Sequence, residues 1–142
     1  MADSPGVLTV GEDDPDLTET LDRALTAFNE AATGPGHECA LSVRVTDDAG
    51  LVGGLTGWTW GDCAGISMVW VRDDARGTGV GRRLLEAAED VARERGCTRV
   101  FVSSFTFQAP DFYRAHGYVE VARVPDLLVE GAADVWFVKR FG

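Results

Sequence analysis

Three glycines at alternate positions, Gly77, Gly79 and Gly81, separate an apolar segment from a segment with helical periodicity. The apolar run at residues 66–71 predicts a buried strand, and apolar residues recur at helical spacing from Val80 onward. The first turn of a helix presents backbone N–H groups without internal partners, and the helix dipole adds roughly half a positive charge there. Because glycine lets a phosphate approach the backbone closely, the pattern predicts an anion-binding loop. A tight strand-to-helix turn without a ligand is the alternative.

Two other phosphate-binding motifs are disfavoured by spacing. A Walker loop requires Gly-Lys-Ser/Thr at the start of its helix, and the only lysine of this chain is Lys139. A dinucleotide-binding fingerprint requires Gly-x-Gly-x-x-Gly and an acidic residue about twenty positions later, at the end of the next strand. The glycines here lack that spacing, and the next predicted strand ends near Ser103 and Ser104. The sequence therefore disfavours both kinds of nucleotide site.

The glycine loop and a later segment together resemble one family. Residues 76–81 read Arg-Gly-Thr-Gly-Val-Gly, and Arg76, Gly79 and Gly81 after an apolar strand resemble the signature of the GNAT superfamily of acyl-CoA N-acyltransferases. Residues 107–118 resemble the later motif of that family, in which a short helix carries Phe-Tyr-x-x-x-Gly-Phe/Tyr. Both motifs occur in the family's order, and the resemblance covers residues 7–141.

The resemblance implies an α/β (α+β) fold with a mixed, mostly antiparallel central sheet that contains a splayed parallel pair and is flanked by helices. It also implies acetyl-CoA as the acyl donor, with its pyrophosphate at the glycine loop and its pantetheine along the free edge of the preceding strand. The same edge could stabilise the oxyanion formed during transfer. The residues assigned to CoA binding are Val69, Trp70, Val71, Arg76, Gly77, Thr78, Gly79, Val80, Gly81, Arg82, Gln108 and Phe112.

The catalytic assignment is Tyr113, which matches the motif tyrosine that protonates the departing CoA sulfur in many relatives. A phenol with a pKa near 10 is a workable donor to a thiolate near 8.5 in a dry site. Packing under the sheet beside Phe112 is the structural alternative. His116 is predicted to lie at a helix end, facing the dipole, instead of acting as a base.

The general base has no clear candidate in the sequence. Many relatives carry a glutamate on the strand before the glycine loop, and Ser67 or Met68 occupies the matching position here. Four carboxylates in loops or at element ends could border an acceptor pocket: Glu30, Glu38, Asp62 and Glu130. Acceptor binding is assigned to Phe28, Glu38, Trp60 and Ser104.

The favoured function is direct acetyl transfer from acetyl-CoA to a primary amine of a small molecule. Cys39, Cys63 and Cys97 lack the basic setting of a catalytic thiol, so no covalent enzyme intermediate is expected. A protein or peptide N-acetyltransferase is the variant within this class. A non-catalytic module that binds or senses acyl-CoA is the alternative, favoured by the missing glutamate and opposed by Tyr113.

Composition narrows the possible partners. A formal net charge of -10 disfavours nucleic acid and anionic membranes, which bind through basic patches, and would favour a cationic acceptor. Three widely spaced cysteines without a CxxC motif predict neither a disulfide framework nor a zinc site, and we expect no metal. Without a basic or apolar N-terminal segment, the chain is expected to be cytoplasmic. It is expected to be a monomer or a homodimer.

The elements that would position these groups follow from periodicity and turn residues. Residues 1–6 are expected to be disordered, and residues 7–142 to form one domain. The predicted order is a strand at 7–10, a helix from Pro15 capped by Asp14, strands at 39–45, 51–60 and 64–71, a helix at 80–95, a strand at 98–105, a short helix at 111–116, and strands at 118–124 and 135–141. On the second hairpin strand, Thr56, Trp58 and Trp60 should share a face, and sheet packing is favoured over a ligand wall. The pairs Arg82–Glu86 and Glu89–Arg93 are expected on the solvated face of the long helix.

Overall fold

A computed structural model describes residues 6–34 and 36–142 of the chain. It divides into two compact units, residues 1–37 and residues 38–142. Apart from Gly6, the segment expected to be disordered lies outside the described residues. The elements are α1 (Pro15–Thr33), β1 (Cys39–Asp47), β2 (Gly50–Trp60), β3 (Cys63–Val71), a short 3-10 turn (Asp73–Ala75), α2 (Val80–Glu94), β4 (Arg99–Phe105), α3 (Pro110–Ala115), β5 (Val119–Pro125) and β6 (Ala133–Arg140).

The first unit consists of helix α1 and the segment before it. The side chain of Asp14 accepts a hydrogen bond from the N–H of Leu17 at 3.0 Å, and Pro15 occupies the first helical position, which confirms the predicted start. The strand predicted at residues 7–10 is wrong, because these residues are exposed and belong to no strand. A strand exists only through hydrogen bonds to a partner strand, which a segment of four residues cannot supply by itself.

The second unit is built on a six-stranded sheet in the order β1-β2-β3-β4-β6-β5. Neighbouring strands are antiparallel, except that β3 and β4 run parallel at the centre. This arrangement confirms the predicted mixed sheet with a central parallel pair. The indole of Trp58 lies against Gly65, where a Cβ would not fit, so sheet packing is its role.

Helix α2 supplies most of the helical side of the core. Its apolar stripe faces the sheet, and the residues that meet there include Leu84, Leu85, Ala88, Ala92, Leu55, Val100, Val102, Val135 and Phe137. Burying each large aliphatic side chain contributes about 1.5–3 kcal/mol, so this stripe fixes how α2 and the loop before it sit on the strands. The helix ends at Glu94 with Arg95 as its C-cap, and Gly96 follows with a φ of 85°, which confirms the predicted C-terminal glycine.

One side chain of α2, Glu89, was expected on the solvated face but is buried. Its carboxylate accepts hydrogen bonds from Tyr118 Oη at 2.9 Å and from Lys139 Nζ at 2.8 Å. The predicted Glu89–Arg93 surface pair is therefore wrong, and Arg93 instead pairs with Asp90 at 3.3 Å. Glu89 lies four residues after Leu85, on the same helical face, which explains its burial.

The parallel pair at the centre of the sheet stays together over a short distance. Strands β3 and β4 pair only at Cys63–Arg99, Ala64–Val100 and Gly65–Phe101. Beyond these pairs the two strands separate, while β3 continues along β2 and β4 continues along β6. A bulge at Ser67, which has no partner between Thr56 and Gly57 of β2, adds twist at the point of separation. The sheet therefore opens at the carboxyl ends of β3 and β4.

Candidate active site

The open edge of β3 presents backbone groups to the gap between the strands. The N–H of Arg72 donates to the carbonyl of Val52 on β2 at 2.8 Å. Because bonding direction alternates along a strand, the backbone groups of Trp70 face β2, and those of Val69 and Val71 face the gap. Of the three residues assigned to the pantetheine, Val69 and Val71 therefore have the required orientation. Trp70 contributes an exposed side chain on one face of the sheet.

The glycine loop leads from this edge into α2, and its backbone N–H groups have no hydrogen-bond acceptor among the described residues. In the part of the chain that the structure describes, no N–H from residue 77 to residue 82 donates to a backbone carbonyl or a side chain, and the first helical bond runs from Arg83 to Gly79 at 3.1 Å. Gly77 and Gly79 have φ of 76° and 91°, which other residues adopt at a cost. The loop thus presents a row of donors at the positive end of a helix, which suits an anion.

The third glycine of the loop has a different reason to be glycine. A Cβ on Gly81 would lie 2.9 Å from the ring of Phe112, so the first turn of α2 and helix α3 touch at this point. This contact brings the later sequence motif against the glycine loop. The two motifs, separated in the chain, form one surface beside the gap between β3 and β4.

The polar side chains of the loop are mostly engaged with the protein itself. Arg76 donates from Nε to the carbonyl of Val71 at 3.0 Å and pairs with Asp73 at 2.8 Å. Thr78 donates its hydroxyl to the carbonyl of Ala75. Arg82 is exposed and lies 3.8 Å from Glu86, as predicted for a solvated pair. The backbone is therefore the main source of anion-binding groups, and Arg82 is the loosely held cation beside it.

Tyr113 is buried on α3, and its ring packs against Phe112, Tyr118 and Phe137. Its hydroxyl makes no hydrogen bond within the described residues. Burial raises the pKa of Tyr113 above its ordinary value, so the phenol keeps its proton at neutral pH. The position combines the packing role with an available O–H donor.

The comparisons with known proteins agree with this geometry. The sequence model of the acetyltransferase (GNAT) family matches residues 9–118. The chain belongs to the GNAT acetyltransferase family. It is 28% identical to an acetyltransferase of Agrobacterium fabrum over 129 residues, which is 90% of this chain and 93% of the other. It is 44% identical to the blasticidin-S acetyltransferase of Streptomyces morookaense over 80 residues, which is 54% of this chain and 57% of that one.

A crystal structure of an acetyltransferase from Bacillus cereus has the same fold. It superimposes with a TM-score of 0.79 at 29% identity, covering 94% of this chain and 98% of the other. This GNAT chain is thus an N-acetyltransferase by family and by fold.

Two polar residues at the end of β4 hold the loop that leads to α3. Gln108 accepts a hydrogen bond from the N–H of Phe105 at 2.8 Å through Oε1, which leaves its amide N–H groups for a ligand. The hydroxyl of Ser104 is buried, accepts from the N–H of Ala109 at 3.3 Å and donates to the carbonyl of Phe105 at 3.4 Å. Ser104 therefore positions the loop, and its assignment to acceptor binding stays a prediction. His116 donates from Nδ1 to the carbonyl of Phe112 at 2.7 Å, as expected for a helix-end residue.

Two further residues assigned to the acceptor lie at the end of the sheet opposite its opening. Trp60 pairs with Cys63, and Glu38 precedes Cys39, which pairs with Thr59. This end is where β3 and β4 are still joined, and Val69 is six residues, roughly 20 Å, further along β3. The structure therefore does not bring Trp60, Glu38 or Asp62 to the open end of the sheet, and their assignments as acceptor groups or base stay predictions. The sequence alone does not show which end of a hairpin strand lies at the opening of the sheet, because both ends carry similar residues.

The remaining candidates differ in where they lie. Glu130 belongs to the loop between β5 and β6, which is tied to the end of β4 by a bond from the N–H of Thr106 to the carbonyl of Ala133 at 2.8 Å. It is therefore at the open end of the sheet. Phe28 and Glu30 belong to α1 in the first unit, where Glu30 lies 4.0 Å from His37.

A cavity that sequence reasoning missed lies on the face of the sheet opposite α2. Its volume is about 310 Å³, and the residues that line it include Ser42, Arg44, Leu51, Thr56, Met68 and Trp70. The signal was present in the alternation of Met68 and Trp70, two large side chains exposed on a strand that is otherwise half-buried. Both flank Val69 on β3, so the cavity adjoins the open edge.

No group of three or more His, Cys, Asp or Glu side chains is arranged to hold a metal ion within residues 6–34 and 36–142. No helix in these residues has the length and apolar character needed to span a membrane.

Proposed function

We propose that this GNAT enzyme transfers the acetyl group of acetyl-CoA directly to a primary amine of a small molecule. The observation that carries the proposal is the unpaired edge of β3, which runs without interruption into a helix N-terminus with unbonded N–H groups. An extended pantetheine chain can pair with such an edge, and a pyrophosphate can accept from such a loop. No other part of the described residues offers the two together.

In this proposal the CoA-binding groups act mainly through the backbone. The N–H and carbonyl of Val69 and the N–H of Val71, whose carbonyl already accepts from Arg76, hold the pantetheine. The N–H groups of residues 77–82 hold the pyrophosphate, with Arg82 adding a cation. Gln108 and Phe112 flank the same passage from the side of α3. The N–H of the β3 edge nearest the thioester stabilises the negative charge that develops on its carbonyl oxygen.

The chemical step is an addition followed by an elimination. The neutral amine attacks the thioester carbonyl, a C–N bond forms, and the C–S bond then breaks. Tyr113 gives its phenolic proton to the departing thiolate, which leaves as the thiol of CoA. The proton lost by the amine passes to a base, and Glu130 is a candidate from the sequence that lies at the open end of the sheet.

Two observations support a small amine as the acceptor: the named acceptor of one relative and the volume of the cavity. The blasticidin-S acetyltransferase is named for a small-molecule acceptor, although the match covers just over half of that protein. A cavity of about 310 Å³ is at the lower end of the range for small-ligand pockets, about 300–1,000 Å³. A non-catalytic acyl-CoA-binding module is the second candidate, since Ser67 and Met68 stand where a base would be expected.

The test is a transfer assay with acetyl-CoA against polyamines, aminoglycosides, amino acids and short peptides, run beside calorimetry for CoA. Thioester loss should be followed by absorbance or chromatography, because Cys39 is exposed and would react with a disulfide reagent. Acceptor-dependent loss of thioester supports the transferase. Tight CoA binding with no transfer to any amine would support the binding module instead.

A further inference from the structure

One row of paired residues on three neighbouring strands forms the floor of the cavity beside β3. Arg44 of β1 pairs with Gly54 of β2, and Gly54 pairs with Trp70 of β3. Paired residues project their side chains from the same face of a sheet. Gly54 has no side chain, so a hollow remains between the guanidinium on one side and the indole on the other. We call this row, Arg44, Gly54 and Trp70, the Arg44 hollow.

The charge in the hollow is uncompensated. Arg44 is exposed and makes no ion pair or side-chain hydrogen bond within the described residues. The nearest acidic side chain along β1, Asp47, is held by Arg72 at 2.8 Å, and Arg72 also binds Asp74 at 2.6 Å. Six of the twelve arginines, Arg44 among them, have no ion pair within the described residues, and Arg44 is the one that lines the cavity. Its fork of N–H donors is available to a planar anion.

The hollow lies within reach of the acyl group. Met68 and Trp70 alternate with Val69 and Val71, whose backbone groups face the gap where the thioester would lie. Strands are about 4.8 Å apart, so Arg44 on β1 lies two strands, roughly 10 Å, from β3. A molecule that reaches from the gap to Arg44 must cross Gly54 and pass along the exposed indole of Trp70. Its middle part must therefore be flat and apolar.

We propose that the Arg44 hollow is the acceptor subsite for a carboxylate, and that the acceptor is a primary amine with a planar body and a carboxylate roughly 10 Å from its nitrogen. The proposal rests on the proposed function. A carboxylate is favoured over a phosphate because one guanidinium balances one negative charge, and the cavity has no second cation among its lining residues.

The test compares 4-(aminomethyl)cinnamate with its carboxamide as acetyl acceptors. These two amines differ only in the charged group. For the native enzyme, kcat/KM should favour the carboxylate by about tenfold to a hundredfold, the usual effect of a charge-assisted hydrogen bond. In Arg44→Ala that preference should disappear through a higher KM for the carboxylate, with kcat for both amines and the affinity for CoA unchanged.

Two further variants separate the hollow from general effects. Arg140→Ala removes another exposed arginine without an ion pair, at the far end of β6, and should leave both amines unaffected. Gly54→Ala fits the fold, because its Cβ would meet the carbonyl of Val43 at an ordinary 3.6 Å, but it raises the floor of the hollow. It should raise KM for both amines alike.

The outcomes distinguish the two proposals. Equal use of carboxylate and carboxamide by the native enzyme, or equal losses for both in Arg44→Ala, would overturn the Arg44 subsite while leaving the transferase intact. If no amine is acetylated at all, the proposed function fails. Calorimetry of 4-(aminomethyl)cinnamate with the CoA-loaded protein then still decides the subsite, which requires native binding and weaker binding by Arg44→Ala.

Discussion

At the scale of single residues, Tyr113→Phe tests the proton donor. The ring contacts with Phe112, Tyr118 and Phe137 survive this change, so stability should be little altered. A general acid contributes about 10²–10⁴-fold, and kcat should fall by that order while the affinity for CoA stays the same. Steady-state kinetics and calorimetry measure the two quantities.

The matched control is Tyr118→Phe, which keeps its ring beside Tyr113 but loses the hydrogen bond to Glu89. Losing that bond leaves a buried carboxylate oxygen with one donor fewer and should lower stability by about 1–3 kcal/mol. At a temperature where both variants are folded, its kcat should remain near the native value. Native turnover in Tyr113→Phe would remove the acid assignment.

A second residue-scale prediction concerns Glu120. Hydrogen bonds from Arg123 at 3.0 Å and Arg114 at 2.8 Å lower the pKa of Glu120 from 4.5 to about 2. A lowered pKa in the folded state stabilises the fold above the unfolded value, and that stabilisation disappears as the pH falls from about 4.5 through about 2. The free-energy difference between the native protein and Glu120→Gln should therefore shrink over that interval. Carboxyl NMR titration that finds a pKa near 4.5 would contradict the assignment.

At the scale of elements, the two ends of α2 offer a controlled comparison. Gly79 and Gly96 have φ of 91° and 85°, and a Cβ on either would meet nothing within 4 Å. Gly79→Ala and Gly96→Ala should therefore cost similar stability, about 1–2 kcal/mol for an alanine in the left-handed region. Only Gly79→Ala distorts the N–H groups that are proposed to hold the pyrophosphate, and it should weaken CoA binding by roughly tenfold or more.

Urea unfolding and CoA calorimetry on the same samples separate these effects. If Gly96→Ala weakens CoA binding as much as Gly79→Ala does, the loss reflects helix stability in general. The phosphate-loop assignment would then be wrong.

At the scale of the whole molecule, the sequence predicted features set by neighbouring residues better than contacts between residues far apart in the chain. The cap at Asp14, the glycine loop and the central parallel pair follow from neighbouring residues or from chain order, and each was readable in the sequence. The hydrogen-bond partners of Glu89 were not, because Tyr118 and Lys139 lie 29 and 50 residues later in the chain. The position of Trp60 at the joined end of β3 and β4 and the cavity beside β3 have the same cause, since strand register decides which residues meet.

The net charge of -10 predicts that added salt stabilises the protein. With 23 acidic and 13 basic residues, the excess negative charges of the native state repel one another, and salt should weaken this repulsion. Salt also weakens surface ion pairs such as Arg82–Glu86, but exposed pairs contribute about 0–1 kcal/mol each. Raising NaCl from about 10 mM to 150 mM shortens the screening length from about 30 Å to 8 Å, which weakens repulsion between distant charges most. The net effect should be stabilising.

We expect the midpoint of thermal unfolding to rise by about 2–4 °C, the shift that roughly 1 kcal/mol gives for a protein of this size. Choline chloride at equal ionic strength is the control, because it screens charge without offering a small cation for specific binding. A rise with both salts supports long-range repulsion. A rise with NaCl alone would indicate a bound cation, and a fall with both would mean that the ion pairs contribute more than the repulsion costs.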